Sequence, residues 1–497
     1  MRLFNTTLLA FVWHCSVSLN AQNNAMQEYK NFQQEAFRQY DGYRQQCNAE
    51  YAEFLKQAWN SYEQGAVIPK PQDEKRPPVV MPKKDRDKPL IPKPVTINDV
   101  IEPVQPEPQP EPVSPILENN NSEESKLPFS FFGTEGLVRI PHNIPNELTI
   151  LNTQLSNEQL SKAWETLSMG SFDNLICDCL TLRMKQKLCD WAYLLMLREI
   201  TEKLLKGRCN ASTMLTAWLY CQSGYQMRLA LAQSKLYLLM GTEHHIYGWS
   251  YYTIDDHEFY PLLHKGEQIE NKVSICGASF PKEQPMSLYI NDAQIFAEKN
   301  STERTIKSEK YKGTEVTVSV NQNLMDFYST YPTSMIGKDV CTRWAMYANT
   351  PMEENIKKHM YPQLNKYIQG KTQLEAANIL LNWVQTGFIY EYDDKVWGGD
   401  RAFFAEESLF YPYCDCEDRS ILFTRLVRDL LGLDCLLVYY PGHLAAAVCF
   451  TDKVNGDYID LGHQRFIITD PTYIGAPVGT TMPDMDNMEA KVILVHS

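Results

Sequence analysis

Apolar residues recur at helical spacing through Ile421, Leu422, Leu426, Val427, Leu430 and Leu431, and Gly432 ends the run. The spacing predicts a buried helix that opens near Cys416, with Asp415 as its cap and Asp418 three residues on in a box-like arrangement. After Gly432 the pattern becomes strand-like over Cys435–Tyr440, Leu444–Phe450 and Arg465–Thr469, with Pro441-Gly442 between the first two. Upstream, helical patterns cover Asn157–Leu167, Leu180–Leu205 and Ala211–Ser223, and again Pro351–Tyr367 and Thr372–Thr386. Strand-like alternation falls on Arg228–Met240, His245–Ile254, Ser287–Ile290 and Thr314–Val320. Helices and strands come in separate runs rather than strict alternation, which predicts an α+β fold.

The first 128 residues are organised differently. Residues 1–21 have a basic Arg2, an apolar stretch around Leu8–Val12 and a small Ala21, the layout of a secretory signal peptide. No later segment has the length of uninterrupted apolar sequence needed to cross a bilayer. The chain is therefore expected to be exported, whether periplasmic, surface-attached or extracellular. Residues 26–64 carry an eleven-residue repeat: Phe32, Tyr43 and Phe54; Ala36, Cys47 and Ala58; Tyr40, Tyr51 and Tyr62. That period predicts one long helix with an aromatic stripe running nearly straight along it. Such a face self-associates, docks on the body of the protein or takes an envelope partner. Between Pro69 and Pro115 lie half of the chain's 28 prolines, which predicts a semi-rigid spacer that buries little. The domain division is thus 1–21 signal, 22–64 long helix, 65–128 Pro-rich linker, 129–345 an upstream α+β region and 346–497 a C-terminal domain.

Charge narrows the partners. A net charge of −14 over 497 residues argues against nucleic acid or an anionic membrane as the main one. Twelve cysteines follow the signal, too few for a disulfide-held scaffold of this length, and none are spaced as zinc knuckles. Mostly free thiols, no structural metal and no cofactor are expected.

The chemistry sits in Tyr413-Cys414-Asp415-Cys416-Glu417-Asp418 and the strands after it. A cysteine at a helix start gains from the unpaired N–H groups and the positive dipole end, although Glu417 and Asp418 oppose its ionisation, so a basic partner is needed. His443 heads one strand, and Asp470-Pro471-Thr472 closes another. If those strands pair antiparallel, His443 and Asp470 come side by side, and the helix can present Cys416 to the imidazole. Over about Thr372–Tyr473 this order and local text resemble the transglutaminase-like branch of the papain-type cysteine enzymes. The resemblance implies a nucleophile helix packed on an antiparallel sheet, with Cys416 as nucleophile, His443 as general base and Asp470 as the orienting acid. It implies a peptide or protein substrate attacked at an amide; such a fold serves water and amine acceptors alike, and hydrolysis is favoured over cross-linking because no feature of the sequence excludes water. Two departures bear on the acyl-donor pocket: Tyr413-Cys414 stand where the family often has Gly, and Leu444-Ala445-Ala446 where an aromatic often follows the His. Trp383, Gln385 and Trp397 are further residues to weigh as oxyanion donors. The competing reading is a non-catalytic envelope-binding or scaffold protein that uses the same fold.

A quieter feature lies upstream. Ser212–Gly224 aligns without gaps on Ser420–Gly432, with Ser, Thr and Gly identical. Continued, the alignment sets Cys209 one position past Cys416, Lys235 opposite His443 and Leu262 opposite Asp470. This points to a degenerate copy that has lost its triad.

Overall fold

The computed structural model describes residue 35 and residues 39–71, 75–102, 108–119, 124–337, 339–485 and 490–495. The expected signal peptide, and Phe32 and Ala36 of the eleven-residue repeat, lie outside them.

The C-terminal half is built on a six-stranded sheet in the order Tyr458–Leu461, Gln464–Thr469, His443–Cys449, Cys435–Tyr440, Ala490–Leu494, Ile97–Ile101. The predicted helix forms over Cys416–Leu431 and packs its apolar stripe on this sheet. Asp415 and Asp418 make the reciprocal capping box, and Gly432 ends the helix at φ 62°. The helix Gln373–Gly387, capped by Thr372 and Glu375, lies beside it.

The upstream half follows the same path. Helix Asn210–Gln222 precedes a second six-stranded sheet, in the order Tyr252–Ile254, His257–Pro261, Lys235–Gly241, Met227–Ala232, Lys272–Cys276, Asn60–Glu63. Strand for strand this is the order of the C-terminal sheet, and each sheet has its outermost strand supplied from the first hundred residues. The two differ at that edge, where Asn60–Glu63 runs antiparallel to its neighbour and Ile97–Ile101 parallel. The fold is mixed α+β.

Several expectations are corrected. The first helix covers residues 39–56 and does not continue to residue 64, because Asn60–Glu63 joins the upstream sheet. One face of the helix docks on the body: Arg44 pairs with Asp173 at 2.7 Å, Asn48 bonds Gln222 and Trp164, and Tyr51 and Leu55 are buried. Tyr40, Tyr43 and Phe54 face solvent. The Pro-rich segment is a strap rather than a spacer. Val79–Val80 pairs with Tyr473–Ile474, Ile97–Ile101 extends the C-terminal sheet, and Val95 and Ile101 are buried. Prolines between these short runs cost the ladder nothing, because edge strands need N–H donors on one side only. The Leu180–Leu205 pattern is two helices, Asp173–Lys185 and Asp190–Leu204. Ser287–Ile290 forms no strand; Ser287 and Leu288 give their N–H groups to the side chains of Asp190 and His244. The 345/346 boundary falls inside helix Thr342–Asn349, whose Trp344 packs on Tyr439 of the C-terminal sheet. One hydrophobic core runs through both halves, with Tyr328 and Phe404 stacked at 4.0 Å between ring centres.

Candidate functional site

Three local devices fix three side chains. The capping box sets Cys416 at the first helical position. One turn on, the Ser420 hydroxyl donates to the carbonyl of Leu444 at 2.9 Å and pins the helix to the strand that His443 heads. The Cys416 thiol takes a hydrogen bond from the backbone N–H of Leu444, the residue next to His443. The Pro441-Gly442 turn, with Gly442 at φ 76°, reverses the chain so that His443 faces Tyr440. Strands His443–Cys449 and Gln464–Thr469 pair antiparallel, and this brings Asp470 to the imidazole: Nε2 lies 2.9 Å from Asp470 Oδ2. The other carboxylate oxygen accepts from the N–H groups of Thr472 and Tyr473 at 2.8 and 3.1 Å. With Nε2–H given to Asp470, Nδ1 is the free basic nitrogen, and it is buried without a hydrogen-bond partner among the described residues. Cys416, His443 and Asp470 are 2, 1 and 3% exposed.

Gln385 braces this site without entering it. Its amide donates to the carbonyls of Asp470, Tyr473 and Ala476 and accepts from the N–H of Gly475, clamping the loop that carries Asp470. The Trp383 indole donates to the carbonyl of Ile306, and Trp397 packs on Arg401 and Tyr411. Every cysteine among the described residues is a free thiol, including Cys414 beside the site.

Beyond the adjacent Asp415, Glu417 and Asp418, the surroundings of the cysteine are not legible in the sequence. Asp393, Asp400, Asp415, Glu417 and Asp418 converge in a buried cage, and the oxygens of several lie close enough together to hold a cation. The Lys75 ammonium, delivered by the strap, fills that position. It contacts Asp415, Asp393 at 3.1 Å, Glu417 at 3.2 Å and Asp400 at 3.5 Å. Burial alone would discharge this lysine, but Glu417, Asp415 and Asp393 hold it charged. Arg343 pairs with Asp400 from the other side. Two cations do not balance five carboxyls, and burial drives proton uptake: Asp393 and Asp415 are pushed up to about 6 and Glu417 to about 7, against the pull of Lys75. Burial and then Asp415 push the Cys416 thiol well up, while Lys75 and the Leu444 amide oppose them. The resting sulfur is a thiol, and Lys75 is the cation that counters the acids around it.

The next residue ties the strap to the turn that precedes His443. Arg76 donates its backbone N–H to Gly442 at 2.9 Å and its side chain to Pro441 and Asp484, and Tyr390 bonds its carbonyl. The only hint of this in the sequence is that the early part of the Pro-rich segment is basic; nothing in its spacing ties Lys75 to Asp415. No family model, no curated protein and no solved structure matches this chain.

Proposed function

We propose that this chain is an exported, cysteine-dependent acyl-transfer enzyme of the transglutaminase-like, papain-type kind, acting on an amide of a peptide or protein. The observation that carries the reading is the buried His443–Asp470 pair, with Nδ1 of His443 left unpartnered and the Cys416 thiol held at the next residue, Leu444. Cys416 gives its proton to Nδ1 of His443 as sulfur attacks the amide carbon. The tetrahedral intermediate collapses by breaking the C–N bond, and His443 returns the proton to the departing amine. That leaves a thioester. Water, deprotonated by His443, then attacks the acyl carbon, releases the acid and restores the thiol. Asp470 holds the tautomer and steadies the imidazolium. Water and an amine are both chemically competent acceptors for the thioester, and hydrolysis is the outcome favoured here.

The test is labelling of the full chain with a thiol-directed acyl probe, followed by peptide mapping. Label is expected on Cys416, lost in Cys416→Ala and nearly lost in His443→Ala. Asp470→Asn should keep a measurable residue, since the carboxylate only orients the base. Full labelling of His443→Ala would sink the mechanism. Burial of the whole triad beneath the strap favours a second reading, a scaffold that keeps the fold without turnover. It is selected if Cys416 stays unlabelled in folded protein but labels on unfolding.

A further inference from the structure

The upstream copy has replaced a triad with an ion network. In the gapless alignment Arg208 stands opposite Cys416, and Lys235 heads its strand as His443 does. Glu267 pairs with both Arg208 and Lys235. Leu262 follows strand His257–Pro261 as Asp470 follows Gln464–Thr469. None of the three positions opposite Cys416, His443 and Asp470 keeps the nucleophile, the base or the acid.

What remains is a cleft. Beside this network, lined in part by Glu267, His264 and Arg198 and bordered by Gln64 and Lys70 of the early chain, lies a cavity of about 830 Å³. That lies within the roughly 300–1,000 Å³ range of small-ligand sites. Trp191, Trp249, Tyr247 and Tyr331 supply ring surface, and Trp249 is only half-buried. The charged wall residues are Lys70, Arg198, His264, Lys265 and Glu267. Glu267 is already taken, and His264 pairs with Glu202 at 2.8 Å. Arg198 has no carboxylate partner among the described residues, and its guanidinium makes one long bond, 3.4 Å, to the carbonyl of Leu263. Lys70 and Lys265 stand exposed at the rim, likewise without an acidic partner among the described residues. Glu202 and Glu199 lie near Arg198 without pairing directly with it, so its guanidinium, at an aromatic cavity with two exposed lysines on the rim, is open to a further anion.

From this lining we propose that the upstream cleft binds an aromatic carboxylate, such as the C-terminal residue of a peptide, with Arg198 taking the carboxylate and Trp249 the ring. A guanidinium fork matches a carboxylate bidentately, and an offset or edge-to-face aromatic pair adds attraction beyond its buried area. A single half-buried fork suits a monoanion, and the rim lysines draw it in. The site is independent of the chemistry assigned to Cys416.

The experiment is calorimetric titration of the full chain with N-acetyl-phenylalanine and, separately, its C-terminal amide, galacturonate and inorganic phosphate. The carboxylate is expected to bind and the amide to bind about tenfold more weakly or not at all, the usual cost of an unmet charged partner. Arg198→Gln should erase the preference for carboxylate over amide, Arg198→Lys should keep part of it, and Lys265→Gln, at an exposed position, should weaken binding without changing the melt. Trp249→Ala should weaken carboxylate and amide alike. Cys416→Ala should bind as wild type. Equal binding of acid and amide, an unchanged preference in folded Arg198→Gln, binding of galacturonate or phosphate alone, or no heat with any ligand in the millimolar range would each overturn the proposal.

Discussion

Lys75 is where one side chain decides most. It meets four carboxyls and lies near enough to Cys416 to pull the thiol down against burial and Asp415. Lys75→Met leaves Arg343 as the cage's remaining cation. The pH at which iodoacetamide modifies Cys416 half-maximally should then rise, and the rate at neutral pH should fall about tenfold, one pKa unit's worth. Lys75→Arg should keep most of the rate. A folded Lys75→Met protein with the wild-type pH profile would remove this residue from the site. Glu417 makes the complementary prediction. Its carboxyl rises from 4.5 to about 7 on folding, so between those values the native state keeps a proton that the unfolded chain releases. Stability is therefore lost as pH rises through that window, with the full penalty present above about 7. Glu417→Gln mimics the protonated acid. Its melting temperature relative to wild type should climb from pH 5 to pH 8; a flat difference would mean that the carboxyl titrates normally.

At the scale of elements, the two halves share a strand order and allow a matched comparison. Gly432 and Gly224 occupy the same aligned position after their helices, at φ 62° and 97°. A Cβ on Gly432 meets nothing within 4 Å, so Gly432→Ala should cost only the left-handed backbone term, about 1–2 kcal/mol. A Cβ on Gly224 would come within 2.0 Å of the carbonyl oxygen of Glu111 in the strap. Gly224→Ala must move backbone as well and should destabilise several-fold more. Urea titrations of the two variants separate these outcomes; equal losses would show that the strap does not press on that helix end.

The whole molecule depends on its first hundred residues. They supply the docked helix, one edge strand to each sheet and the Lys75 ammonium. Burying Tyr51, Leu55, Val95 and Ile101 is worth about 1.5–3 kcal/mol each, on the order of 10 kcal/mol together. An ordinary domain has about 5–15 kcal/mol in total. A chain starting near Lys126 should therefore lose its cooperative melt and its Cys416 labelling together. A sharp transition at the wild-type temperature, read by circular dichroism, would return the strap to a simple tether.

What the sequence by itself determined is local. The helix Cys416–Leu431 is spelled by Asp415, Asp418 and Gly432, residues that act on backbone groups within a few positions of themselves. The Pro441-Gly442 reversal is likewise readable from its residue types, and so is the order of strands around His443 and Asp470. The gapless match of Ser212–Gly224 to Ser420–Gly432 pointed to the path that both halves take. Tertiary structure decided the rest. The aromatic helix stops at residue 56, and Pro-rich text becomes edge strand, because the upstream and C-terminal sheets each had an edge with unpaired backbone groups to offer. The sequence places Lys75 hundreds of residues from Asp393, Asp400, Asp415 and Glu417, and no periodicity links them. Their meeting depends on where the strap crosses the sheet, set by the pairing of Val79–Val80 and the bonds of Arg76, and the buried charges meet a counterion there.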